Sequence, residues 1–129
     1  MRLWRPSDPS RAARGRAGER LAARLLSAQG YVIERANVRY PVGEIDLIAR
    51  EGQVLCFVEV RSASGERWSG ALESIDGKKR RRLVRAARWY LNGLPALPAE
   101  TRFDVVAITW RAAGEPDVEL VRGAFDAED

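Results

Sequence analysis

Residues 43–61 read GEIDLIAREGQVLCFVEVR, and the fold follows from how this stretch is divided. Two apolar runs, 44–49 and 54–61, flank Glu51-Gly52-Gln53, a tight-turn sequence. They are expected to be neighbouring antiparallel strands. Alternate residues of a strand face alike. Glu44 and Asp46 therefore share one side of the first strand, and Glu59 and Arg61 share a side of the second with Leu55 and Phe57. Glu59 lies within FVEV, a run apolar enough to be buried. A buried carboxylate without compensation is costly, so it must be paired, protonated or bound to a cation. If the two strands form a hairpin, Asp46 and Glu59 converge at one end of the sheet.

Upstream, Gly18, Leu21, Ala22, Leu25 and Leu26 recur at the spacing of one helical stripe, which predicts a helix from Ser10 to Gln29 stopped by Gly30. Residues 31–39 read as a strand, with Pro41 and Gly43 in the turn that follows. Downstream, residues 62–69 are small and polar and are expected to form a mobile loop. A second helix is expected from Ser74 to Asn92. Its apolar stripe is Leu83, Ala86, Ala87, Tyr90 and Leu91, and Gly93 lies just past its end. Residues 102–109 form a further strand, and 118–121 an edge strand. The expected domain is residues 10–123, with a flexible tail at 1–9 and an acidic tail at 124–129. The fold class is α/β, an α-β-β-β-α-β core in which helices flank a mixed sheet.

The chain has 129 residues, a formal net charge of +4, one cysteine and no histidine. The absence of histidine removes the Ser-His-Asp and Cys-His arrangements and every His-based zinc site. A lone Cys56 in VLCFVEV reads as a buried thiol, and with no secretory pattern in the first residues the expected location is cytoplasmic. No apolar run is long enough to span a bilayer, so no membrane partner is expected.

Any catalysis must then rest on carboxylates, Lys, Arg, Tyr or a hard cation held by oxygen. Asp46 and Glu59, with Glu44 close by, form a candidate site for Mg²⁺ or Mn²⁺, ions that activate water and neutralise charge on a phosphate. Lys79, four residues before Leu83, points along the apolar stripe of the second helix and so toward those acids. Lys78, Arg81, Arg82 and Arg85 form a basic face suited to a phosphate backbone, which makes nucleic acid the expected partner. A structural ion pair of Asp46 or Glu59 with Arg61 or Lys79 is the competing explanation, because such networks mimic active sites. Glu19 reads as a solvated or capping acid. Arg102 and Asp104 share a strand face and most simply pair with each other. Trp68 either anchors its loop or stacks on a base.

Glu19 in GRAGE, GEIDLIA at 43–49, FVEVR at 57–61, Lys79 before the helical stripe and RFDVV at 102–106 together resemble the YraN-like family of bacterial proteins. That family is similar to the PD-(D/E)xK nucleases, archaeal Holliday-junction resolvases in particular. The resemblance implies a restriction-endonuclease-like fold and a metal-dependent endonuclease acting on DNA, branched forms included. By that carry-over Asp46 and Glu59 are metal ligands, Glu19 a helix-borne acid near the metal and Glu44 a neighbouring acid. Arg61 occupies the place of the motif's lysine. Arginine keeps the charge but does not lose its proton, which weakens water activation while leaving charge stabilisation intact. A nucleic-acid-binding protein without turnover is therefore the alternative. A partner-binding protein, a homodimer among the options, is the third.

Overall fold

The structure, a computed structural model, describes residues 11–64 and 75–128. Helix α1 (Arg11–Ala28) ends where Gly30 adopts φ +97°. The Gly30 amide bonds to the carbonyl of Ser27 and the Tyr31 amide to that of Leu26, the paired bonds of a Schellman cap, for which a glycine is the natural residue. Gly18, Ala22 and Leu26 are the buried line of α1. Strands β1 (Val32–Tyr40), β2 (Gly43–Glu51) and β3 (Val54–Ser64) follow. The β2–β3 hairpin closes in two residues, with Gly52 at φ +61°, as short hairpin turns prefer.

Helix α2 (Gly77–Asn92) carries the chain across one face of the sheet, so β4 (Glu100–Trp110) lies parallel to β3. β5 (Asp117–Phe125) returns antiparallel to β4. The sheet order is β1-β2-β3-β4-β5, with α1 packed on one face and α2 on the other. This α-β-β-β-α-β-β arrangement around a mixed sheet is consistent with a restriction-endonuclease-like core, as the sequence predicts. No helix among the described residues is long and apolar enough to cross a membrane.

Several boundaries differ from expectation for identifiable reasons. β3 continues through Ser62 to Ser64, held by β4 up to the Ser64–Trp110 pair, so the start of the expected loop is strand. Residues 65–74, Trp68 and Ser74 among them, and the tail at 1–9 lie outside the described residues. α2 starts at Gly77 because the Asp76 side chain accepts from the Lys79 amide at 2.9 Å, an N-cap bond.

The largest difference is at the end of the chain. β5 runs past Gly123 to Phe125, which is 6% exposed and stacks on Phe103 with ring centroids 4.8 Å apart. The β4–β5 register shifts between Phe103 and Val105, and there the Gly123 amide, at φ +63°, donates to the Asp104 carboxylate at 2.9 Å. Asp104 is fully buried. It also accepts from the Tyr31 hydroxyl at 2.8 Å and, as expected, from Arg102 Nε at 2.8 Å. Arg102 reaches on to Glu51 at 2.6 Å, and Arg122 pairs with the same Glu51 at 2.7 Å. The buried acid thus lets β5 bulge and resume, and the structured domain extends beyond position 123.

Phe125→Ala should lower unfolding stability by about 3 kcal/mol, the usual range for an emptied phenylalanine site, read by urea denaturation. A loss below about 0.5 kcal/mol, the size of an ordinary surface change, would mean that the last strand is frayed.

Candidate functional site

The β2–β3 ladder runs from Glu51↔Val54 to Leu47↔Val58 and stops there. β2 stays with β1 down to Tyr40↔Gly43, while β3 stays with β4. The sheet therefore forks at Asp46 and Glu59. Ile45 and Ile48 both join the core under α2, whereas Leu47 and Ala49 join the core under α1. Strict alternation would group Ile45 with Leu47, so β2 turns about its own axis at Asp46. Across from it, between the partners of Leu47 and Ile45, stands Asn37 at φ +54°. Asparagine tolerates this left-handed conformation better than most residues.

The fork opens a cleft of about 320 Å³ between the two helices. Glu19, Glu44, Asp46, Glu59, Arg61, Lys79 and Arg82 line it. Two glycines permit the close walls. A side-chain carbon on Gly43 would come within 3.0 Å of the Arg82 carbonyl oxygen of α2, and one on Gly18 within 3.4 Å of Ile108. Gly43 thus lets α2 approach β2, and Gly18 lets α1 lie close on the sheet, which brings Glu19 and Lys79 to the same opening.

Asp46 accepts the Val60 amide at 2.8 Å, one step past the end of the ladder. Half-buried itself, it lies close enough to the Glu59 carboxyl for the two to interact. Burial first, and then the negative charge of Glu59, push Asp46 up to about 7. Glu59 is 6% exposed. Its Oε2 lies 3.3 Å from Lys79 Nζ and 3.6 Å from Arg61 Nη1. Burial, followed by the charge of Asp46, also raises Glu19, and a hydrogen bond from the Asn37 side chain works against that rise. Glu44 sits at the rim and pairs with Arg39 at 3.2 Å.

The expected residues thus divide into three groups. Asp46, Glu59, Lys79 and Arg61 come together around one point. Glu19 stands half-buried on the α1 wall, in mid-helix and so capping nothing, and Glu44 faces outward. Lys78, Arg81, Arg82 and Arg85 are all exposed on α2, and Arg82 reaches the cleft itself. Arg80, in the same basic run, instead bonds the Ile75 carbonyl and lies over the Phe125 ring. Asn37 escaped the sequence reading. Its one signal was a turn-former set between Ala36 and Val38 in a strand.

Oxygen donors alone suit a hard divalent cation. Among the described residues no cluster of three or more acids, cysteines or histidines is arranged to hold a metal. A pair of carboxylates is nevertheless what Mg²⁺ commonly takes from a protein, the remaining positions going to water and substrate phosphate. The fit rests on the pair itself: a half-buried Asp46 and a buried Glu59 repel each other, and a proton or a cation relieves that repulsion.

Comparison with known proteins gives a consistent kinship. Residues 18–108 match the family described as "Uncharacterised protein family UPF0102". The chain is 50% identical over 120 residues to a UPF0102 protein of Anaeromyxobacter sp., covering 92% of this chain and 88% of that one. It is 44% identical over 121 residues to a UPF0102 protein of Moorella thermoacetica, covering 90% and 98% of the two chains. A UPF0102 protein of Desulfosudis oleivorans is 45% identical over 113 residues, covering 88% and 89%.

The raised Asp46 sets a sign for pH dependence. Its carboxyl moves from 3.8 to about 7 on folding, so the folded chain keeps a proton that the unfolded chain loses. This group's contribution favours folding below about pH 4 and is lost as pH rises through 7. In the variant Asp46→Asn the new amide imitates the protonated acid, accepting from Val60 and donating to Glu59. In metal-free buffer the variant should be more stable than the parent by about 1–3 kcal/mol above pH 7, the two converging as pH falls toward 4. Equal stability at pH 8 would contradict a strained carboxyl pair.

Proposed function

The chain belongs to the UPF0102 family, the YraN-like group, and from its site we propose that it is a cytoplasmic, divalent-metal-dependent endonuclease. Its substrate class is the phosphodiester bonds of nucleic acid, DNA with branched or flapped ends foremost. The reading carries with it kinship to the PD-(D/E)xK nucleases. One observation carries it: the half-buried Asp46 and the buried Glu59 interact side by side, with Lys79 and Arg61 converging on Glu59, in a cleft bordered by a basic helix face.

In this reading Asp46 and Glu59 hold Mg²⁺ or Mn²⁺, with Glu19 as an outer acid and Glu44 at the rim. The bound ion supplies water activation and charge neutralisation at the phosphate. The protein's own groups do the rest. Val60 fixes the Asp46 carboxylate by its amide. Lys79 and Arg61 present positive charge to the phosphate as negative charge grows on it. Lys78, Arg81, Arg82 and Arg85 hold the strand by its backbone, which makes binding salt-dependent.

A specific observation also favours binding without turnover. Arg61 stands where the nuclease motif carries lysine, and a guanidinium does not act as a base. Lys79 and Arg61 are, moreover, both engaged by Glu59.

Incubation of the protein with flapped or branched DNA and Mn²⁺ or Mg²⁺ separates the two readings. The nuclease reading expects cleavage that EDTA abolishes. It also expects Asp46→Ala to reduce cleavage by at least about a hundredfold, more than the loss of an outer partner costs a metal site. Salt-sensitive binding with no product in either metal, and cleavage gained on Arg61→Lys, would replace it with the second reading. Cleavage that survives Asp46→Ala would remove Asp46 from the site.

A further inference from the structure

Beyond the cleft, α2 carries a feature that phosphate contacts and metal chemistry leave unused. Trp89 is 47% exposed, one of the few large apolar side chains left open among the described residues. One face of its indole is taken by Tyr40, with ring centroids 5.5 Å apart and planes 23° from parallel. Tyr40 itself is partly buried against the core under α2, so the pair is a braced shelf. A groove of about 690 Å³ lies beside it, lined by Arg35, Tyr40, Trp89, Tyr90 and Leu94 among others. Tyr90 is occupied elsewhere, its hydroxyl donating to Glu34 at 3.1 Å and its ring in a T-shaped pair with Phe57.

The shelf's position on the helix bears on what it would hold. Trp89 stands four residues after Arg85, seven after Arg82 and eleven after Lys78, the spacing of one helical stripe. It therefore closes the row of basic residues at the end away from Lys78. Arg82 lines the acidic cleft and also the hollow over Tyr40-Pro41-Val42-Gly43. The surface is thus continuous from Asp46 and Glu59, past Arg82 and the β1–β2 turn, to the aromatic shelf. Seven helical residues span about 10 Å, roughly three stacked nucleotide steps at ~3.4 Å each.

We propose that the Tyr40–Trp89 shelf is a stacking site for an unpaired nucleobase of the same nucleic-acid strand whose phosphates run along Lys78, Arg81, Arg82 and Arg85. The inference rests on the proposed nucleic-acid function and adds to it a preference for substrates with a single-stranded segment. A flat, braced indole at the end of a basic row is how proteins hold single strands without reading sequence: the charges track the backbone and the ring takes a base face. In duplex DNA base faces are covered by their neighbours, so the shelf contributes only where the strand is open.

The test is equilibrium binding by fluorescence anisotropy at low salt with EDTA present, so that cleavage plays no part. The probes are a short labelled oligothymidylate, an abasic strand of the same length and charge, and a duplex. The wild-type chain should bind oligothymidylate more tightly than the abasic strand. Trp89→Leu should weaken oligothymidylate binding about tenfold or more while leaving the abasic strand and the duplex unchanged. Trp89→Phe should retain most of the difference. A Trp89→Leu variant that loses affinity equally for all three probes, or for none, overturns the shelf while leaving the nucleic-acid reading standing. A shift from dimer to monomer on Trp89→Leu overturns it in favour of a second copy of the chain covering the ring. A wild-type protein that binds none of the probes overturns the proposed function together with the shelf.

Discussion

A carboxylate taken out of water must be compensated, and this fold contains two such places that answer the demand in opposite ways. At Asp104 the compensation is complete. The Tyr31 hydroxyl, the Arg102 guanidinium and the Gly123 amide all donate to it. That network ties the start of β1, the end of β2 and both last strands together. Burial there pushes Cys56 beside it up to about 12, leaving an inert thiol. At Asp46 and Glu59 compensation is partial. Among the described residues one backbone amide and two cations serve the two acids, which repel each other beside a cleft.

The difference follows from the strands. Asp104 sits at the β4–β5 bulge, where Arg102 of its own strand, the Gly123 amide of β5 and the Tyr31 hydroxyl ahead of β1 all supply donors. Asp46 and Glu59 sit where β2 and β3 separate, so the ladder that would have bound the backbone gives way to side chains. A pair of mutually repelling acids is a cost to stability and, in the proposed reading, a resource for function, since a divalent ion would relieve that repulsion. Lys79 and Arg61 limit that cost in the meantime. Both glycines at the walls, Gly18 and Gly43, serve the same end by letting the helices deliver Glu19 and Lys79 to the fork.

Much of this was legible from residue order. Apolar runs broken by Gly52 identify the hairpin, and alternation puts Glu59 in a buried row. The stripe of α2 gives away Lys79, because a lysine in phase with Leu83 either reaches an anion or snorkels out. What escaped depends on contacts between residues far apart in the chain. The bulge that carries β5 to Phe125 exists because Asp104 claims the Gly123 amide, nineteen residues away, and an acidic ending otherwise reads as a tail. The twist in β2 at Asp46 breaks the period-two pattern, so Ile45 changes layers without any local mark. Asn37 matters only because it stands opposite that twist. Trp89 gains its meaning only from Tyr40, which the β1–β2 turn brings against it from 49 residues away.

The central claim is that acids from two adjoining strands act as one cation-holding unit. Anomalous diffraction from crystals soaked in Mn²⁺ tests it most directly. The account predicts a single strong peak between the carboxylates of Asp46 and Glu59, at bonding distance to both, with Lys79 Nζ displaced from Glu59. Density showing the two carboxyls still in mutual contact, Lys79 still on Glu59 and no manganese between them would contradict it.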